Sequence, residues 1–457
     1  MQRSNRNKAI VPRQLPCHWA SLGWLHNPPL RYLGGCLCDR LALMRILFVF
    51  CLVASLAAGA SLPTAPPEQA GFSTDRLNRI NTVMQEQIAT GRLNGASGLI
   101  ARNGKVVFRQ TWGTYKPDTI VRMYSMTKAI TGVAAMILYE EGKFSLTDPV
   151  SKYLPEFSKM SVAQELFDSA GHRTYYTVPA DRPITVRDLF RHTSGLDYDG
   201  PKDENGEPAY KKLGVTGGNG WVSFDLAEAV RRLATAPLNH QPGTTFHYGF
   251  SIDVLGRLVE VLSGKPLDQF FEERIFRPLG MKDSAFFVPE EKWSRLAMLY
   301  TPKKGGGIEP TTSPAQENYK KKPTLLLGGA GSLSTLDDYA RFVTMLLNDG
   351  ELEGVRILGR KSVELMRSDH LGTLARVGGM PAEGYGFGLT FAVNLGPGKS
   401  ANVGTEGEYN WGGAAGTSFW IDPKEHMVGV FLVNVLPSNE VVANGQFKRL
   451  AYEALVD

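Results

Sequence analysis

Leu77, Ile80, Met84 and Ile88 recur at steps of three and four residues, and the pattern stops by Gly91. This predicts an amphipathic helix after a proline-rich linker at 61–70. The period then changes. Apolar runs at 98–101 and 106–110 flank Asn103-Gly104, a residue pair suited to the positive-φ positions of a tight hairpin turn. Near the other end, an alternating run at 417–421 and an apolar run at 428–434 flank Asp422-Pro423, and 445–455 reads as a closing helix. Between these ends the pattern is mostly helical, with long polar stretches at 199–220 and 302–323. The predicted fold class is therefore α+β. A mainly antiparallel sheet flanked by helices, from 71–150 and 325–457, would carry an inserted, mostly helical domain at 151–324. There is no tandem repeat and no low-complexity tract.

One helical run is apolar on nearly every side. Tyr124, Met126, Ala129, Ile130, Val133, Ala134, Met136, Ile137 and Leu138 leave it little polar surface, so it is expected to cross a domain interior. At its head stands Ser125-Met126-Thr127-Lys128. A helix brings residues three apart onto one face, which places the Lys128 amine beside a Ser125 hydroxyl that it could help deprotonate. Burial disfavours the ammonium form, so a lowered Lys128 pKa is expected. The pattern is loose by itself, since about one Ser-x-x-Lys match arises by chance in a chain of this length. Two further places carry candidate chemistry. Tyr248-Gly249-Phe250 enters a helix predicted at 253–262, and Trp411-Gly412-Gly413-Ala414-Ala415-Gly416 leads into the strand at 417–421. Glycines at the latter would let a ligand or another segment approach the backbone closely.

Other hydrolytic arrangements find less support. Gly95-Ala96-Ser97-Gly98 falls one residue short of the Gly-x-Ser-x-Gly elbow, and neither His192 nor His247 has a partner motif. No His-Glu-x-x-His zinc pattern occurs.

In order and separation, Ser125-Met126-Thr127-Lys128, Tyr248 and Trp411-Gly412-Gly413 resemble the three motifs of serine β-lactamase-related hydrolases of the class C type. Residues 108–113, 142–150, 185–196, 276–281, 328–333 and 385–388 are similar to that family as well, so the likeness runs from about Pro67 to the C-terminus. The resemblance implies a β-lactamase/penicillin-binding-protein-like fold. It also implies acylation of Ser125, proton transfer shared by Lys128 and Tyr248, and an oxyanion hole from the backbone amides of Ser125 and Ala414. Which residue is the formal base stays open, because a buried Lys–Tyr pair titrates as a unit.

β-Lactamases and penicillin-binding relatives usually carry Tyr-x-Asn at the second motif and Lys-Thr-Gly or His-x-Gly at the third. Here Phe250 stands in place of the amide and Trp411 in place of the cation. Losing a charge-assisted contact to a substrate carboxylate favours uncharged acyl esters. The Trp-Gly-Gly form resembles family VIII carboxylesterases and related acyl transferases, with Tyr124, Phe250, Trp411, Gly412 and Gly413 expected at the substrate. The expected activity is cleavage or transfer of small to medium acyl groups through an acyl-enzyme, with a small-molecule ester as partner and no metal or cofactor. Two alternatives remain open: amide chemistry on β-lactams, D-amino-acid peptides or oligoamides, and a catalytically silent relative that binds cell-wall fragments or a protein.

Charge and cysteine placement narrow the setting. Of the formal net charge of +5, residues 1–60 carry +6, from seven basic residues against Asp39 alone, which leaves −1 for the remainder. Nothing in that balance favours nucleic acid. Cys17, Cys36, Cys38 and Cys51 all fall in the same segment, so the catalytic region has no disulfide framework and Cys36/Cys38 lack a second metal-binding pair. Met44-Arg45, the apolar run at 46–56 and Ala58-Gly59-Ala60 have the plan of a secretory signal at 44–60, with 1–43 a dispensable or non-native extension. The apolar run is short for a membrane span. A periplasmic or secreted protein with no stable span after cleavage is expected.

Overall fold

The computed structural model describes residues 61–457 apart from 168, 170, 172, 216–221 and 439–441. The expected signal at 44–60, the extension at 1–43 and all four cysteines lie outside the described residues.

Helix α1 (Thr74–Ala89) begins at Ser73, whose hydroxyl accepts the Arg76 N–H at 3.3 Å, and buries Leu77, Ile80 and Met84 on one face. Asn103 and Gly104, at φ +53° and +74°, turn strand β1 (Gly95–Arg102) back into β2 (Lys105–Gly113). Helix α2 (Thr127–Glu140) is buried on all sides from Thr127 to Leu138 and packs along α3 (Ser251–Ser263). After helix α4 (Leu336–Leu347) come β3 (Tyr385–Phe387), β4 (Ala392–Asn394), β5 (Tyr409–Gly412), β6 (Ser418–Asp422), β7 (Met427–Leu432) and helix α5 (Ala443–Glu453).

These strands form one antiparallel sheet of order β3-β4-β5-β6-β7-β1-β2, in which Leu99 of β1 lies opposite Val430 of β7. Strands from the two ends of the sequence thus become neighbours. The sheet is covered on both faces. Ile100, Trp420 and Phe431 pack with α1 and α5, while Leu99, Val428 and Val430 join the core that holds α2, α3 and α4. Gly429 is required by this packing, because a Cβ there would lie 2.1 Å from the Trp420 ring.

Two strand pairs fall where the pattern predicts helix or polar loop. Ser161–Phe167 pairs with Arg173–Pro179, and Tyr300–Pro302 with Ile308–Pro310. The first ribbon buries Val162 and Ala163 at its base but leaves Leu166, Phe167 and Tyr176 exposed, so it lacks the in-out alternation that marks a half-buried strand. The described part of the 199–220 stretch includes a short helix, Ala209–Lys212.

The segment leading to Tyr198 is anchored by Asp188, which is fully buried. Its carboxylate accepts from Arg182 at 2.7 Å, Arg191 at 3.1 Å, the Thr185 N–H and hydroxyl at 2.9 and 2.7 Å, and the Thr193 hydroxyl at 2.9 Å. Burial alone would raise its pKa, but Arg182 and Thr185 hold it down at about 2. A carboxyl depressed in the folded state stabilises it above the ordinary value near 3.8, and that contribution of about 2 kcal/mol is lost as pH falls toward 2. Asp188→Asn is expected to cost about 3 kcal/mol in urea unfolding at pH 7, because two guanidinium groups lose their charge partner. The gap from wild type should narrow as pH falls from 4 toward the folded-state value of about 2.

Candidate active site

Ser125 sits in a tight turn, Tyr124–Met126, that runs directly into α2. Tyr124 holds φ +46°, a left-handed conformation that is costly for a non-glycine residue and places the strain immediately before Ser125. Two bonds hold this turn from outside, Met123 N–H to Ser332 O at 3.0 Å and Tyr339 OH to Met126 O at 3.0 Å, and Thr131 Oγ1 ties α2 to Gly328 O at 2.6 Å.

Lys128 lies one turn into the helix and is 1% exposed. Its Nζ has three partners within hydrogen-bond reach: Gly329 O at 2.7 Å, Tyr198 OH at 3.0 Å and Ser125 Oγ at 3.3 Å. The same nitrogen stands 4.7 Å from the centre of the Tyr248 ring. Tyr248 in turn accepts a hydrogen bond from Trp411 Nε1 at 3.2 Å, and the two ring centres are 5.3 Å apart. Ser125, Lys128, Tyr248 and Trp411, spread over 286 positions of the chain, therefore converge.

The charge state departs from the expected lowered pKa. Burial acts on Lys128 in the expected direction and is the largest single influence, but Tyr198, Tyr248 and Asp253 together outweigh it and raise its proton affinity above that of an ordinary lysine. Its proton is held more tightly, which favours the ammonium. Burial pushes the Tyr198 phenol up, with Lys128 pulling the other way.

The remaining expected residues divide. Trp411, Gly412, Gly413 and Ala414 line a cavity of about 500 Å³ together with Ser125 and Tyr248. Gly413 has to be glycine for β5 to reach the nucleophile turn, because a Cβ would lie 2.5 Å from Met123 O and 2.2 Å from Thr417 Oγ1. The Gly416 N–H closes a turn onto Gly413 O at 2.9 Å, and Ala414 is exposed at its tip. Phe250 and Tyr124 stand apart from the cavity wall. Phe250 is fully buried, with ring centres 5.1 Å from Tyr198 and 6.1 Å from Tyr210, and Tyr124 packs with Leu299 and Ala415.

Neither histidine hydrogen-bonds Ser125 among the described residues. His192 packs its ring 4.6 Å from that of Tyr248 and accepts the Gly249 N–H at 3.3 Å, and burial keeps it neutral by pushing its pKa well down. His247 approaches Asp197 at 3.5 Å and His240 at 3.0 Å. Sequence reasoning missed Tyr198, Gly329 and Asp253. One signal was available for the last: a lone acidic residue inside the apolar run Ile252 to Leu255.

Such a site can pass a proton between an alcohol and a buried amine–phenol group, next to a largely apolar cavity. The chain is similar to several known proteins. Protein Rv1367c of Mycobacterium tuberculosis is 37% identical over 342 residues, covering 71% of this chain and 80% of that one. Esterase EstB of Burkholderia gladioli is 29% identical over 393 residues, covering 79% and 92%. Among solved structures, EstCE1, described as a hydrolase with promiscuous acyltransferase activity, superposes with a TM-score of 0.68 at 29% identity, covering 84% of this chain and 99% of that one. Residues 80–453, which hold the Ser125 turn, both tyrosines, Trp411 and the whole sheet, match the Beta-lactamase family, and the chain belongs to it.

Proposed function

We propose that this protein is a serine esterase or acyl transferase that works on uncharged carboxylic esters through an acyl-enzyme on Ser125. The observation that carries the reading is the single buried Lys128 nitrogen within hydrogen-bond reach of Ser125 Oγ, enclosed by Tyr198 and Tyr248.

Ser125 Oγ bonds to the ester carbonyl carbon as its proton passes to the Lys128–Tyr248 group. With the ammonium favoured at rest, that group must first have lost one proton, so the pair and not either residue alone is the base. The carbonyl oxygen becomes an oxyanion beside the backbone N–H groups of Ser125 and Ala414. Collapse expels the alcohol, which takes the proton back. Water or a second alcohol then attacks the acyl carbon by the reverse sequence and frees Ser125.

The cavity supports the substrate class. Lys448 is the lysine on its wall, and its ammonium is matched by buried Glu408 at 2.6 Å. Trp411 adds an apolar ring where a carboxylate would need a cation. The names of EstB and EstCE1 point to the same chemistry, and the signal pattern at 44–60 supports work outside the cytoplasm.

Incubation with p-nitrophenyl butyrate, followed by peptide mass mapping, should show ester turnover and a butyryl adduct on the peptide carrying Ser125. Nitrocefin measured in parallel should turn over far more slowly. Faster turnover of nitrocefin than of the ester would overturn the ester reading in favour of amide chemistry.

A further inference from the structure

The shortest bond of the Lys128 ammonium, at 2.7 Å, goes to the backbone carbonyl of Gly329. The N–H of that same residue donates to Asp253 Oδ1 at 2.9 Å. Asp253 lies on α3, five residues beyond Tyr248, and is 4% exposed between Ile252 and Val254. Burial raises the pKa of a carboxyl so placed, and the Lys128 charge and the Gly329 N–H pull it back down. A point where a Gly329 Cβ would stand lies 2.7 Å from Asp253 Oδ2 and 3.1 Å from Lys128 Nζ. The two charges are therefore no more than about 6 Å apart, close enough for each to favour the other's ionised form. Only glycine fits between them.

The geometry points to Asp253 as a positioning residue for Lys128: through Gly329 it fixes one corner of the ammonium and supplies the opposing charge. Tyr198 fixes a second corner, and the third is left facing Ser125 Oγ. This inference rests on the serine-hydrolase reading above.

The groups that act on Lys128 are Tyr198, Tyr248 and Asp253, with His192 nearby and kept neutral by burial. Removing the Asp253 charge takes a negative neighbour away from the Lys128 proton. The proton then leaves more readily, and the acid limb of activity moves to lower pH. Asparagine keeps an oxygen for the Gly329 N–H, so Asp253→Asn removes charge while retaining position.

The test is the pH profile of kcat/KM for p-nitrophenyl acetate in wild type, Asp253→Asn and Gly329→Ala, with melting temperatures measured alongside. In Asp253→Asn the acid limb should move down by about one pH unit. Gly329→Ala should lower the plateau by about 100-fold and also shift the limb downward, because its Cβ wedges the two charges apart. Superposable profiles for wild type and Asp253→Asn would overturn the inference. If Asp253→Asn does not fold, Gly329→Ala carries the test, and a wild-type plateau with an unmoved limb there overturns it. A wild-type protein that forms no acyl adduct at any pH would sink both the hydrolase reading and this one, whereas unmoved profiles in an enzyme that is acylated sink only the role of Asp253.

Discussion

Ser125→Ala should abolish the acyl adduct and lower ester turnover by at least about 10⁴-fold, since removing the nucleophile of a cooperating group costs nearly as much as removing the whole group. The fold should survive the change. Ser125 is half-buried, and its hydroxyl has Lys128 Nζ as its hydrogen-bond partner at 3.3 Å, so alanine gives up one modest contact worth about 1 kcal/mol. The tight turn before it is held by backbone bonds and by Tyr339, which the substitution leaves in place. A melting temperature close to wild type combined with loss of turnover would separate chemistry from folding. Hydrolysis at the wild-type rate in the variant would remove Ser125 from the mechanism and with it the proposed function.

Lys128→Met is expected to have the second largest effect, and it acts on both activity and stability. Methionine roughly fills the space of the lysine stem but has no proton to pass, so turnover should fall by about 10³-fold or more. Stability should fall as well. The ammonium fills the space between Gly329 O, Tyr198 OH and Ser125 Oγ and matches Asp253, and removing it leaves a buried carboxylate without its cation, at a cost of about 3–5 kcal/mol. The double substitution Lys128→Met with Asp253→Asn distinguishes the two losses. It should recover much of the stability in urea unfolding, because no buried charge is then stranded, while turnover stays at the level of the single variant. A single Lys128→Met variant as stable as wild type would show that the buried charge has no net structural cost. Wild-type turnover in that variant would exclude Lys128 from proton transfer.

Much of this site was legible because its central pair is local. Ser125 and Lys128 are three residues apart where a tight turn runs into a helix whose apolar run gives its burial away, and both facts depend only on neighbouring residues. The Asn103-Gly104 hairpin, the α1 face and the closing helix are legible for the same reason. Tyr248 and Trp411 were found by their order along the chain, and the fold brings them into contact at 3.2 Å. Phe250 shows the limit. Its position beside Tyr248 suggested a substrate contact, but residue 250 opens α3, and its ring turns inward against Tyr198 and Tyr210.

The sequence by itself determined the helices, the hairpin and the nucleophile–amine pair, because helical period, turn preference and i,i+3 spacing are properties of short segments. Only the tertiary structure decided the direction in which the Lys128 proton affinity moves. The potential at a buried amine is a sum over everything packed around it, and Tyr198, Asp253 and Gly329 arrive from segments as far as 201 residues away. Burial alone predicts a weakened ammonium, but the neighbours that the fold supplies reverse that sign.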